Sequence, residues 1–101
     1  VGPVLVSGDE IGHAQALEIS CAIDGAIVQK GNTSDLLFSP ASVVSYVSQF
    51  IALEPGDLIS TGTPGGVGEA RKPPVFLAPG NLMLSAIEGI GELRNRCSAE
   101  A

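Results

Sequence analysis

Residues 59–68, Ile-Ser-Thr-Gly-Thr-Pro-Gly-Gly-Val-Gly, set two threonine hydroxyls and four glycines around one proline. Backbone N–H groups with no Cβ beside them can close on an anion, so the first chemistry this stretch suggests is phosphate binding. The spacing excludes it. A nucleotide P-loop reads G-x-x-x-x-G-K-[ST], with a lysine in register to reach the terminal phosphates, and the glycines at 62, 65, 66 and 68 provide neither. A dinucleotide fingerprint opens a helix, whereas Gly68-Glu69-Ala70-Arg71-Lys72 runs into Pro73 and Pro74, which stop one. What remains is narrower: a strand end delivering Thr61 and Thr63 toward a pocket, with Pro64 stiffening the exit and the glycines admitting a small anion close to the backbone. Thr63 would then donate its hydroxyl to a carboxylate. The competing reading of the same residues is a glycine-rich turn between strands.

Such a loop needs elements to hold it. Leu17, Ile19, Cys21 and Ile23 alternate with Glu18, Ser20, Ala22 and Asp24, the period-two pattern of a strand with one buried face. Asp24-Gly25 supplies the positive-φ dipeptide of a tight turn, so a hairpin is expected over residues 17–30. Ser39-Pro40 reads as an N-cap followed by proline at the first helical position, and Val43, Val44, Val47, Phe50 and Ile51 extend the helix to about residue 52. Residues 53–59 and 77–83, LEPGDLI and LAPGNLM, repeat a Pro-Gly turn before an apolar stretch, and both are expected to launch strands. A second hairpin is expected around Glu88–Gly91, and the opening VGPVLV is strand-like. The fold class is mainly β with one short helix.

Composition narrows the function further. The chain has 101 residues, 45% hydrophobic but only 16% charged, against roughly 25% charged in an ordinary soluble domain. Its free surface is short of solubilising charge, and some apolar surface is expected to meet another chain or another segment. Val1 in place of methionine, directly in a strand-like run, reads as a chain truncated on its N-terminal side. A net charge of -6, with only five basic residues, argues against nucleic acid. No apolar run approaches the roughly 20 residues of a membrane helix, and a soluble, cytoplasmic protein is expected. Cys21 and Cys97 lack zinc spacing and read as buried free thiols.

GNTSDLLFS, LEPGDLISTGTPGGVG and IEGIGELRNR, in that order and with these gaps, resemble the C-terminal part of the fumarylacetoacetate hydrolase family. The resemblance spans essentially the whole chain, so residues 1–101 are read as the C-terminal portion of a fumarylacetoacetase-like catalytic domain. GVGEARKPPVFLAPG is similar to the branch of diketo-deoxy sugar-acid hydrolases and ureidoglycolate lyase-like proteins. The resemblance implies a mixed β-roll, homodimeric in the full-length protein, in which Mg2+, Mn2+ or Ca2+ binds the headgroup of a 2-oxo or diketo acid. A hard cation chelating those oxygens lowers the cost of developing enolate charge.

The resemblance also implies an absence. The family's E-x-E metal pair, later aspartate, catalytic histidine and lysine belong upstream, and no E-x-E or D-x-E spacing occurs here. Asp9 and Glu10 are adjacent and on a strand would face opposite ways; Asp24 and Asp57 belong to turns. No residue of this chain is therefore assigned a catalytic or metal-ligating role. Thr63 is carried over as substrate-binding, with Gly62, Gly65 and Gly66 as backbone contributors or shape. Asn32 and Thr33 either line the same pocket or cap a loop. Lys72 either contacts a distal substrate group or, the preferred reading, is a solvated surface lysine. His13 is read as a surface loop residue and Tyr46 as packing. The expected function is a share in a divalent-metal-dependent hydrolase or lyase of 2-oxo or diketo acids, with no turnover by the chain alone. The alternative is a catalytically inactive β-domain serving as an assembly or interaction module.

Overall fold

In the computed structural model, which describes residues 1–100 apart from the His13 side chain, one antiparallel four-stranded sheet organises the chain. The strands are β1 (Glu18–Ile23), β2 (Ala26–Asn32), β3 (Leu82–Ile87) and β4 (Gly91–Arg96), in the order β2-β1-β3-β4. Both expected hairpins are present. Asp24 and Gly25 sit at φ 49° and 85°, the two positive values that let a two-residue turn follow the twist of its strands. The reading of His13 lies outside the described residues.

The β1–β2 pairing carries one irregularity. Cys21 faces Gln29, but Ala22 faces Ile27, so Val28 is an extra residue and forms a β-bulge. Alternation from Ile19 puts Cys21, Ile23, Met83, Ser85, Ile87 and Leu93 on one face of the sheet, and Ser20, Ala22, Leu82, Leu84 and Ala86 on the other. The first face is thus largely apolar, whereas the second mixes these small and apolar residues with Glu18, Lys30, Glu92, Arg94 and Arg96.

The helix is shorter than its hydrophobic pattern. Helix α1 covers Pro40–Val47, with Ser39 Oγ accepting from Ser42 N at 3.2 Å, and it ends five residues before the expected limit at 52. The Ser45 carbonyl, which would receive the next helical N–H, accepts from Ser48 Oγ at 3.0 Å instead. Gln49 N turns to Tyr46 O and Phe50 N to Val47 O at three-residue spacing, while Ile51 N still reaches Val47 O, so the helix ends in a mixed last turn.

Three other expectations are corrected. Residues 1–6 form no strand, and neither does the stretch from Leu58 to Thr63, because among the described residues neither has a ladder partner. The Pro-Gly turn at 54–57 therefore launches no strand, whereas the one at 78–81 leads directly into β3. Cys21 and Cys97 are free thiols, but both are half-buried and not enclosed.

No described residue is fully buried. Leu5 is 94% exposed, Leu37 87%, Phe76 73% and Phe50 71%. The accessible surface is 7733 Å², where a compact monomer of this mass would show about 5,300 Å². The radius of gyration is 15.6 Å, against about 13 Å for a compact chain of this length. The four strands are paired in one sheet, yet its apolar residues are only thinly covered, in line with the expected shortage of solubilising charge.

Candidate functional site

The loop after Ile59 reaches the sheet at the edge strand β2. Pro64 lies over Gly31, where an added Cβ would stand 3.2 Å from the proline ring, so the missing side chain lets the loop approach. Between the loop and the end of β2 is a hollow of about 500 Å³, bordered by Lys30, Asn32, Thr33, Asp35, Thr61, Gly62, Thr63 and Gly65 together with the apolar Ile19, Leu36 and Leu37. The structure thus brings Thr63, Gly62, Gly65, Asn32 and Thr33 to one place.

Their hydrogen bonds separate their roles. Thr33 Oγ1 donates to Ala14 O at 2.6 Å and accepts from Leu17 N at 2.8 Å, so its only proton is committed to tying the β1 entry to the β2 exit. Asn32 Oδ1 accepts from Ser34 N at 2.9 Å and caps the 3-10 turn Thr33–Asp35. That bond fixes the amide orientation, because a backbone N–H can only donate, and it leaves Nδ2 without a protein acceptor among the described residues. The backbone N–H groups of Gly62, Thr63 and Gly65 likewise have no acceptor among the described residues.

Gly66 and Lys72 stand apart. Gly66, at φ +106°, borders the neighbouring hollow, and a Cβ there would collide with the Val28 carbonyl, so its absence of a side chain is a matter of shape. Lys72 is exposed and borders neither hollow.

Two residues that the sequence patterns left aside hold the loop in place. Gln29 Nε2 donates to Thr63 Oγ1 at 3.0 Å and to Pro64 O at 2.8 Å. Arg71 donates from Nη2 to Val28 O at 2.8 Å and from Nε to Gly66 O at 3.1 Å. Alternation along β2 was the available signal for Gln29, since it puts an amide on the apolar face that carries Ile19 and Cys21. Arg71 is invisible to such patterns, because its partner is a carbonyl that the bulge turns out of the ladder.

The hollow is bordered by one residue of each charge sign. Lys30 Nζ pairs with Glu18 Oε2 at 3.1 Å, and Asp35 adds a carboxylate. Among the described residues no three His, Cys, Asp or Glu side chains gather to hold a metal ion, so the residues present do not fit a metal cage. The hollow offers neutral hydrogen-bond donors.

Residues 1–98 match the family described as fumarylacetoacetate hydrolase C-terminal. A mitochondrial oxaloacetate tautomerase of Rattus norvegicus is 46% identical over 96 residues, 95% of this chain and 31% of that protein. A 2,4-didehydro-3-deoxy-L-rhamnonate hydrolase of Sphingomonas is 46% identical over 99 residues, covering 97% and 35%. Among solved structures, a fumarylacetoacetate hydrolase from Exiguobacterium antarcticum superposes with a TM-score of 0.93 at 38% identity over 98% of this chain and 35% of that one. A fumarylpyruvate hydrolase from Pseudomonas aeruginosa, in complex with Mn2+ and pyruvate, superposes with a TM-score of 0.81 at 41% identity over 92% and 37%. The chain spans about a third of the length of these relatives. With matches along nearly all of its own length, it belongs to the fumarylacetoacetate hydrolase C-terminal family.

Proposed function

We propose that this chain forms the substrate-side wall of a site for 2-oxo or diketo acids, in a full-length hydrolase, lyase or tautomerase whose divalent metal, Mg2+ or Mn2+, is held by residues outside the chain. The observation that carries the reading is that Thr63, Gly62, Gly65 and Asn32 border one hollow, and that the Thr63 hydroxyl proton, the Gly62 and Gly65 amides and Asn32 Nδ2 have no acceptor among the described residues. Donors of this kind suit a carboxylate, and a hydrogen bond to a charged acceptor contributes about 1.5–3 kcal/mol. Lys30 is the one cationic residue bordering the hollow, and it shares its charge with Glu18 in an exposed pair, so most neutralisation of the bound anion is assigned to the metal. Family relatives that act on acylpyruvates and sugar acids, one of them seen with Mn2+ and pyruvate, support the same substrate class. Lys72, outside the hollow, remains a surface lysine in this reading.

The wide apolar surface supports a covering partner, either the rest of the protein or a second subunit. No described helix is long and apolar enough to cross a membrane, and the proposed substrate is a free small acid. The rat relative is mitochondrial; a cytoplasmic location is proposed for this protein, and cell fractionation tests it.

Titration of the full-length protein with pyruvate in the presence of Mn2+ tests the site. Thr63→Val is expected to weaken pyruvate by about tenfold or more while leaving Mn2+ affinity and the melting temperature nearly unchanged. Unaltered pyruvate affinity would remove Thr63 from the site, and loss of Mn2+ affinity would give it a different role. The same acid-poor hollow and apolar surface favour a second reading, an assembly module without activity. A full-length protein that binds no pyruvate under any metal condition would favour it.

A further inference from the structure

We infer that Gln29 is a positioning residue that aims the Thr63 proton into the hollow; the inference rests on the reading of that hollow as a carboxylate site. Its starting point is the orientation of the Gln29 amide. Pro64 O can only accept a hydrogen bond, so the end of the amide 2.8 Å from it is the NH2 group. The same nitrogen lies 3.0 Å from Thr63 Oγ1, which must therefore accept. A threonine hydroxyl has one proton, and here it is turned away from Gln29. Among the described residues no protein acceptor takes it, and Thr63 borders the hollow together with Gly62, Gly65 and Asn32.

The geometry of β2 makes this arrangement stiff. Gln29 pairs with Cys21 just before the bulge, and the bulged Val28 offers its carbonyl to Arg71, which also holds Gly66 O. The loop is thus fastened at Thr63 and Pro64 by one side chain and at Gly66 by another. Gln29 itself borders the second, apolar hollow, so it reaches the carboxylate only through Thr63.

Gln29→Met and Gln29→Glu have similar lengths but opposite consequences for the proton. Methionine frees the hydroxyl among its three staggered rotor positions, so pyruvate affinity should fall about threefold. Glutamate accepts where glutamine donates and captures the Thr63 proton, so the loss should approach the roughly tenfold or greater effect of Thr63→Val. Both variants are titrated with pyruvate in the full-length protein with Mn2+ present, alone and combined with Thr63→Val. In the Thr63→Val background, both further losses should shrink to within about twofold, because the hydroxyl they act through is gone.

A Gln29→Glu loss that persists undiminished in that background would mean charge repulsion or misfolding, and would overturn the inference. So would native pyruvate affinity in Gln29→Glu. If Gln29→Glu does not fold, Gln29→Met decides by the same cycle: its loss must vanish with Thr63→Val. Should Thr63→Val alone leave pyruvate binding intact, the carboxylate site and the role of Gln29 fall together. If Thr63→Val weakens binding and the Gln29 variants do not, only the positioning role falls.

Discussion

Residues 54–57 and 78–81 fold the same four-residue turn and then part ways. In the first, Asp57 N donates to Glu54 O at 3.1 Å, Asp57 Oδ2 accepts from Glu54 N at 2.9 Å, and Gly56 has φ +102°. In the second, Asn81 N donates to Ala78 O at 3.1 Å, Asn81 Oδ1 accepts from Ala78 N at 2.6 Å, and Gly80 has φ +94°. The second turn is also clasped from outside. Asn81 Nδ2 donates to Asp24 Oδ2 at 2.6 Å, Leu82 N donates to Asp24 Oδ1 at 2.8 Å, and Gly80 N donates to Cys97 O at 2.9 Å. Its exit becomes β3. The exit of the first turn runs on without a ladder and becomes the Thr63 loop. Four residues suffice to encode a turn, whereas a strand is a property of the pair.

The side chains that close the two turns give the largest contrast. Asn81→Ala removes a cap and a bond to a carboxylate and is expected to cost about 2 kcal/mol, whereas Asp57→Ala removes a single cap and should cost about 0.5–1 kcal/mol. Urea unfolding of the full-length protein measures both, and equal costs would deny the clasp around the second turn any energetic weight.

Gly56→Ala and Gly80→Ala should differ far less. Nothing lies within 4 Å of an added Cβ at either position, so each substitution costs only the left-handed backbone, about 1–2 kcal/mol. Matching losses in the same unfolding experiment would isolate what is local in the turn. A clearly larger loss at Gly80 would show that its surroundings enter the conformational cost as well.

The smallest effect is expected in the acid limb of stability. The Leu82 N–H first, and the Asn81 amide second, hold the Asp24 carboxyl below the usual carboxylate range. A carboxylate with a depressed folded pKa stabilises the fold above its unfolded pKa of about 4, and that contribution is lost as pH falls through the folded value. Asp24→Asn should therefore flatten the fall in melting temperature below about pH 4 relative to the native protein. An unchanged acid limb would mean that the clasp does not depend on the charge.

Local chemistry was legible, and long-range pairing was not. Asp24-Gly25, the strand signalled by residues 17–23, both Pro-Gly turns and the Ser39 cap are each decided by neighbours in sequence, and all are seen in the structure, although from Ile19 to Ile23 both faces of that strand are half-buried alike and neither is enclosed. The end of α1 misled because Phe50 and Ile51 keep helical spacing while Ser48 diverts the Ser45 carbonyl. The apolar, β-branched entry to the Thr63 loop had strand composition but no ladder partner among the described residues. At the candidate site, Thr63, Gly62, Gly65, Asn32 and Thr33 were legible as types that suit a small anion, and the structure places them around one hollow. It commits the Thr33 hydroxyl to the backbone, however, and assigns Gly66 to shape. Gln29 and Arg71 escaped notice because their partners lie 34 and 43 residues away in sequence.

The bulge at Val28 matters for anyone who would redesign this sheet. Deleting that residue would give β1 and β2 an unbroken register, the regular backbone that design rules favour. It would also withdraw the carbonyl that Arg71 grips and so release one of the fastenings of the Thr63 loop. The smoother sheet would be easier to build but would hold its loop less firmly, so the irregularity is the part of the strand to copy first.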